Sequence, residues 1–378
     1  MKKVIVYRRH LDHPWIFSNE VIKTEDPSPG EVVKVEERKK VIGTGFYNPH
    51  SLIAVRLFSE REEDFSREFL LNRIKNALIN RSDLGESFRL IYSESDGLPG
   101  LIVDKYGNFF VVEINCLGMD KRKQMIFQVL TDLFNPEGIY EKSDENLRKL
   151  EGLEPENRPI CGKIPELVEI EQDGIKFLVD IINGQKTGFF FDQRENRQKI
   201  AEFACGEILD CFCYTGGFSL YAAKKGKVSG IDSSEKAIEI AKKNAVLNNL
   251  ECDFQCEDVF KTLRKLYNEN KRFDTIILDP PSFTKSKKKK FDALRGYKEI
   301  NLMAMKLLND GGILFTSSCS YHISNEEFLS MLRDSAKDAG RKFAIVHQGN
   351  QTKDHPVLLN FPESNYLKAF FLKNIRKT

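Results

Sequence analysis

Residues 206–232 read GEILDCFCYTGGFSLYAAKKGKVSGID, and this stretch decides the fold. EILD is a short strand-like run that ends on a carboxylate, Asp210. CFCYTGG turns the chain, placing Gly216 and Gly217 where a strand hands over to a helix. Glycine there lets a ligand approach the backbone, although a plain tight turn has the same composition. FSLYAAKKG is helix-like, and KVSGID is a second strand-like run ending at Asp232. Asp232 follows Asp210 by 22 residues, near the ~20 at which a carboxylate grips ribose hydroxyls. The alternative for Asp232 is a helix cap beside Ser233. The turn lacks GxGxxG, so a dinucleotide fingerprint is absent.

The same alternation continues outward. SSEKAIEIAKKNAVLNN is a helix with its N-cap at Ser233 or Ser234. DFQCED is a strand ending at Asp258, and another helix follows. FDTIILD is an apolar run suited to a central buried strand, ending at Asp279 before Pro280 and Pro281. YKEINLMAMKLL is helical, and GGILFTSS is a further strand that runs into Cys319. The expected fold class is α/β, a doubly wound Rossmann-like sheet. In such sheets ligands bind outside the carboxyl ends of the strands. Four carboxylates on successive strand ends, Asp210, Asp232, Asp258 and Asp279, with a thiol on the next, therefore form a constellation. Asp258 suits either an adenine amino group or the cap of the helix after it.

Upstream the pattern differs. Residues 1–70 read as short strands, with GEVVKVEERKKVIGTGFYN a hairpin and AVRLFSE a further strand. Residues 71–150 read as a compact α+β unit. DFSREFLLNRIKNALINRS and KRKQMIFQVLTDLF are its helices, and FRLIYSE, LIVDKYG, FFVVEINC and GIYEKS its strands. LEGLEPENRPICGKIPE, with three prolines, is the expected linker, and ELVEIEQDGIKFLVDI a hairpin after it. The expected domains are 1–70, 71–165 (including the linker) and 166–378.

Composition excludes several classes. The 378 residues carry 58 basic and 56 acidic side chains, a net charge of only +2, so polyanion binding needs local patches. Arg8, Arg9, His10 and Trp15 make one such place. Trp15 suits the core or base stacking. KSKKKK at 285–290 is another, a solvated run or else a lid or phosphate contact. No apolar stretch approaches bilayer length, and the N-terminal apolar run is too short for a signal peptide. A cytoplasmic protein with reduced cysteines is expected. The eight cysteines show no zinc spacing, and no metal is expected.

DCFCYTGGFSLYAA, GIDSSEKAIEIAKKN, CEDVF and ILDPPSF resemble the successive motifs of class I S-adenosylmethionine-dependent methyltransferases. More narrowly, they resemble bacterial large-subunit rRNA methyltransferases that modify cytosine carbon 5. In that family a PUA domain and a small α+β domain precede the catalytic one. HLDHPWIFSNEV, PGEVV and GFYNPHSLIAVR are similar to its PUA segment, DGLPGLIVDKYG to its middle domain, and TGFFFDQRENR to the segment before the cofactor turn. The resemblance covers nearly the whole chain. It implies S-adenosyl-L-methionine as cofactor, with Tyr214, Thr215 and Gly216 at its methionine end, Asp232 at the ribose and Asp258 at adenine. Asp210 and Ser233 belong to the same implied set, as do Phe190, Asp192 and Arg194, for which packing and an ordinary helix start are the alternatives. It also implies that Asp279 faces the target base and lies in the cofactor-binding set as well. The implied partner is 23S rRNA or a large-subunit precursor, with no membrane; a homodimer is compatible with it.

Carbon 5 of a pyrimidine is a poor nucleophile. A thiolate that adds to carbon 6 makes carbon 5 reactive, so Cys319 reads as the nucleophile. The alternative is a packed cysteine at a strand end. Cys211 and Cys213, which alternation puts on one face, read as packing, and Cys205, Cys252 and Cys256 as structural. His322, Glu363 and water all remain open as the base for the carbon 5 proton. The competing readings are methylation of a guanine nitrogen, a non-enzymatic RNA-binding assembly factor and, most remotely, a nicotinamide dehydrogenase.

Overall fold

The computed structural model describes residues 1–8, 12–284 and 287–375, with only the backbone of Lys287. Arg9, His10 and the first two residues of the lysine run lie outside them. The described chain forms two compact units, and neither is one continuous segment. The first comprises Met1–Ile170, Val179–Phe191 and Lys353–Asn365; the second comprises Glu171–Leu178, Asp192–Thr352 and Tyr366–Thr378.

The first unit holds a six-stranded and a five-stranded sheet. The expected hairpin pairs Val32–Glu37 with Lys40–Tyr47, and Ile53–Ser59 adds to it. Helices Arg67–Ile79 and Lys123–Phe134 cover the second sheet. The linker expectation is corrected here. Asn157–Gly162 is a strand, paired antiparallel with Gly138–Lys142 at the edge of the five-stranded sheet. Proline is tolerated at an edge because a missing N–H there breaks no ladder on the open side. Trp15 is held by packing: its Nε1 donates to Glu94 at 2.6 Å, Arg56 lies 5.3 Å from its ring centroid, and Phe361 meets it edge-on. Arg8 is paired with Glu37.

The second unit is built on seven strands: β1 (Gly206–Cys211), β2 (Gly226–Asp232), β3 (Cys252–Cys256), β4 (Phe273–Leu278), β5 (Leu308–Ser318), β6 (Lys342–Gly349) and β7 (Lys368–Ile375). Their spatial order is β3-β2-β1-β4-β5-β7-β6. The first five run parallel, and β7 pairs antiparallel with both β5 and β6. Six helices accompany them: α1 (Arg194–Phe203), α2 (Gly217–Ala222), α3 (Glu235–Leu247), α4 (Val259–Asn268), α5 (Lys290–Leu307) and α6 (Asn325–Asp338). The doubly wound expectation holds. β4 is central and buried from Thr275 to Leu278, and its Ile276 and Leu278 share a core with Leu314, Tyr297, Phe328 and Phe370. The order reverses beside β1 and β4, the point at whose carboxyl edge ligands bind in doubly wound sheets.

Candidate active site

At the end of β1, Asp210 is buried. Ser219 Oγ donates to its Oδ2 at 2.6 Å, while Oδ1 is buried with no hydrogen-bond partner among the described residues. Burial pushes its pKa up to about 7, and the nearby charges of Asp279 and Asp232 add to the rise. The turn that follows is strained. Phe212 and Tyr214 have φ of 63° and 49°, and Gly216 has φ of 86° as it enters α2. Left-handed non-glycine residues cost about 1–3 kcal/mol each and persist where surroundings over-determine them. Asp232 supplies part of that determination: its carboxylate accepts from the Tyr214 N–H at 3.0 Å and the Ser234 N–H at 2.9 Å. Asn244 fixes the Thr215 carbonyl at 3.0 Å. Of the two serines, Ser234 is the cap of α3, and the Ser233 carbonyl accepts from the Cys256 thiol. Asp258 caps α4, accepting from the Lys261 N–H at 2.9 Å.

At the end of β4, Asp279 receives two donors on one oxygen. Ser317 Oγ and Gln193 Nε2 (2.7 Å) both reach Oδ1, and no described hydrogen bond reaches Oδ2. Burial raises its pKa to about 6; Ser317, Arg197 and Gln193 oppose the rise and Asp192 adds to it. Gln193 is itself oriented by Asn196, which donates to its Oε1 at 2.6 Å. Asp192 accepts from the Tyr366 hydroxyl, and its carbonyl from Thr352. Arg194 is bound by Asp173 through Nε and Nη2. Phe190 belongs to the first unit, with Lys186 Nζ 5.2 Å from its ring centroid.

β5 ends at Ser318, and Cys319 follows, partly exposed. The next residue, Ser320, is fully buried and lies 2.9 Å from both the Tyr297 and Ser282 hydroxyls. Ser282 donates onward to the Thr284 carbonyl at 2.8 Å. Each hydroxyl has one proton, so the chain of donors runs from Tyr297 through Ser320 and Ser282 to that carbonyl. It ties the turn carrying the thiol to the DPPS turn carrying Asp279. Lys368 Nζ donates to the Ser320 carbonyl at 2.7 Å.

The other cysteines divide. Cys211 and Cys213 are buried, in accord with packing. Cys205 and Cys256 are exposed, so the structural reading of these two is corrected: one precedes β1 and the other ends the edge strand β3, where no layer covers them. Cys252 is partly buried, and burial pushes its pKa up to about 11. Lys290, at the end of the lysine run, is paired with Glu327. Asp120, Glu141 and Glu156 converge in the first unit, but Lys123 already sits among them and Arg148 and Arg158 complete the charge balance. Sequence reasoning missed Gln193, Ser317, Ser320 and Lys368. The first three lie inside stretches already singled out, FDQREN and TSSCS; Lys368 had no local signal.

Comparison with known proteins follows this geometry. A PUA-like domain pattern matches residues 8–60, and the S-adenosylmethionine-dependent methyltransferase family pattern matches residues 156–371, more than half of the chain. Ribosomal RNA large subunit methyltransferase I of Klebsiella pneumoniae (strain 342) is 40% identical over 373 residues, covering 95% of this chain and 93% of that protein. The protein of the same name from Shewanella frigidimarina (strain NCIMB 400) is 42% identical, covering 94% of each. Among solved structures, one assigned as an S-adenosylmethionine-dependent methyltransferase from Streptococcus mutans superposes with a TM-score of 0.84 at 20% identity, over 99% of this chain and 100% of that one, a likeness of fold. With a PUA-like β-rich domain ahead of a Rossmann-like sheet whose strand ends gather the carboxylates, the chain belongs to the S-adenosylmethionine-dependent methyltransferase family.

Proposed function

We propose that this enzyme methylates carbon 5 of a cytosine in large-subunit (23S) ribosomal RNA through a covalent bond between Cys319 and carbon 6. The observation that carries the reading is the hydroxyl chain through Ser320 and Ser282, which holds the thiol turn against the Asp279 turn. Methylation of a nitrogen has no use for a thiol so held. The names of the relatives support ribosomal RNA as substrate, and the PUA-like domain at residues 8–60 supports an RNA contact. The division into 1–70, 71–165 and 166–378 is part of this proposal.

The residues present fit the cofactor. Asp210 offers a buried carboxylate oxygen without a partner, and a Cβ on Gly216 would meet Phe254 at 3.1 Å in a backbone conformation that side chains avoid. Asp210, Tyr214, Thr215 and Gly216 would hold the methionine end, Asp232 and Ser233 the ribose, and Asp258 the adenine. Asp192 and Arg194, given their partners, brace the approach to the site through Tyr366 and Asp173. When bound, S-adenosylmethionine supplies a methyl group on a sulfonium sulfur, which keeps the electron pair of the broken bond.

The protein's own steps are these. Cys319 ionises, its proton passing to water, and its sulfur electron pair forms a bond to carbon 6. The displaced π electrons reach carbon 5 and the N3 edge, where Asp279 supplies a proton to offset the growing charge. Its raised pKa makes it a ready donor, and Gln193 and Ser317 on Oδ1 leave Oδ2 for the base. Carbon 5, now nucleophilic, takes the methyl group. Its proton then leaves to a base, the electrons restore the carbon 5–carbon 6 double bond, and the sulfur departs with its pair as thiolate while N3 returns its proton to Asp279. The test is nucleoside analysis of protein-free 23S rRNA after incubation with the enzyme and tritiated S-adenosylmethionine. Label in 5-methylcytidine is expected; label in a methylated guanosine would overturn the reading.

A further inference from the structure

The thiol turn has a cation built into it. Lys368 opens β7 opposite Ser318 in the β5–β7 register, one residue from Cys319. It is only 8% exposed, and one of its three N–H donors is spent on the Ser320 carbonyl at 2.7 Å. Lys105 and Lys368 are the buried lysines among the described residues. Lys105 has a carboxylate, Glu86, at 2.7 Å. Lys368 has no carboxylate ion pair among the described residues. A buried ammonium without a counter-charge is costly, and the usual remedy is an anion within reach. Among the described residues, the acid whose charge acts on it is Cys319. Tyr297, on α5, also feels Cys319; burial, with Cys319 adding to it, pushes its pKa up to about 12, so it stays neutral. Burial brings the Lys368 pKa down to about 8, which still leaves it mostly cationic at neutral pH.

We propose that Lys368 is a positioning residue that stabilises Cys319 as the thiolate and aims its charge at the pyrimidine ring. The inference rests on the cytosine reading above. The ammonium favours loss of the thiol proton to water, then receives the thiolate again when the carbon 6–sulfur bond breaks. It takes no proton itself.

The test follows Cys319 alkylation by iodoacetamide from about pH 6 to 10, resolved by peptide mass spectrometry so that exposed Cys205 and Cys256 do not confuse the signal. Wild type, Lys368→Met, Lys368→Gln and Lys368→Arg are compared. The two neutral variants are expected to move the midpoint up by about one unit or more, and Lys368→Arg to keep it near wild type. Methyl transfer at pH 7 should fall about tenfold or more in the neutral variants and recover as pH rises, with S-adenosylhomocysteine affinity unchanged. Two neutral side chains of different shape guard against one that does not fold. A midpoint in either folded neutral variant equal to that of wild type overturns the role of Lys368, whatever the product. A wild-type product other than 5-methylcytidine overturns the cytosine reading instead, whatever the midpoint.

Discussion

Two cysteine-bearing turns lie at the same edge of the sheet, and their surroundings differ. Cys211 and Cys213 flank the turn after β1. Burial first, and then the negative charge of Asp210, hold both thiols well above the usual range; Asp232 adds to the effect on Cys213. Cys319, after β5, is partly exposed, and among the described residues the Lys368 ammonium, held on the next residue's carbonyl, is a charge that acts on it. Position at a strand end does not distinguish these residues. The sign of the neighbouring charge and the exposure of the thiol do.

Removing the thiols tests that difference most severely. Cys319→Ala should reduce the initial rate of methyl transfer by at least about a thousandfold, as loss of a covalent nucleophile does. Cys213→Ala should stay within about tenfold of wild type. Equal effects would erase the distinction between the turns.

The next largest effect concerns Asp279, the carboxylate proposed to work with the thiol. Asp279→Asn should lower kcat by about a hundredfold while S-adenosylhomocysteine binds as before, because the amide keeps the shape but cannot deliver a proton. A matching loss of ligand affinity would instead put Asp279 on the cofactor side.

A smaller effect sharpens the other turn. The Asp210 pKa, raised to about 7, means that the folded protein binds this proton more tightly than the unfolded chain. Its contribution therefore destabilises the ligand-free protein progressively as pH rises from about 4 to about 7. Asp210→Asn should melt higher than wild type above that window and no higher below it. A ligand ammonium prefers the ionised carboxylate, so S-adenosylhomocysteine affinity should rise up to about tenfold per unit towards pH 7, then level off. Calorimetry across that range checks it, and Asp210→Asn should flatten the profile.

The parallel half of the sheet was legible because each of its strands carries its own local signal at its end: an aspartate and a turn for the first four, and the TSSCS run for β5. That logic fails where pairing is distant. β7 inserts antiparallel between β5 and β6, and neither β6 nor β7 carried a turn motif to announce it. The capping box Ser324–Glu327 at α6 was readable but passed over. Asn157–Gly162 looked like a linker because its proline disguised an edge strand. In the site, the four aspartates and Cys319 could be named from spacing and resemblance, but not the side chains that tune them. Gln193 reaches Asp279 from 86 residues away, and Lys368 reaches Ser320 from 48. Such contacts are set by the completed sheet, and no local pattern encodes them.

The most direct measurement is a trap. A 23S rRNA fragment carrying 5-fluorocytidine cannot lose a carbon 5 proton after methylation, so an enzyme that attacks carbon 6 stays bonded to it. Wild-type protein with S-adenosylmethionine should give a complex that survives denaturation and maps to the Cys319 peptide, and Cys319→Ala should give none. Wild type that methylates the unfluorinated fragment yet leaves no adduct on the fluorinated one would contradict the account.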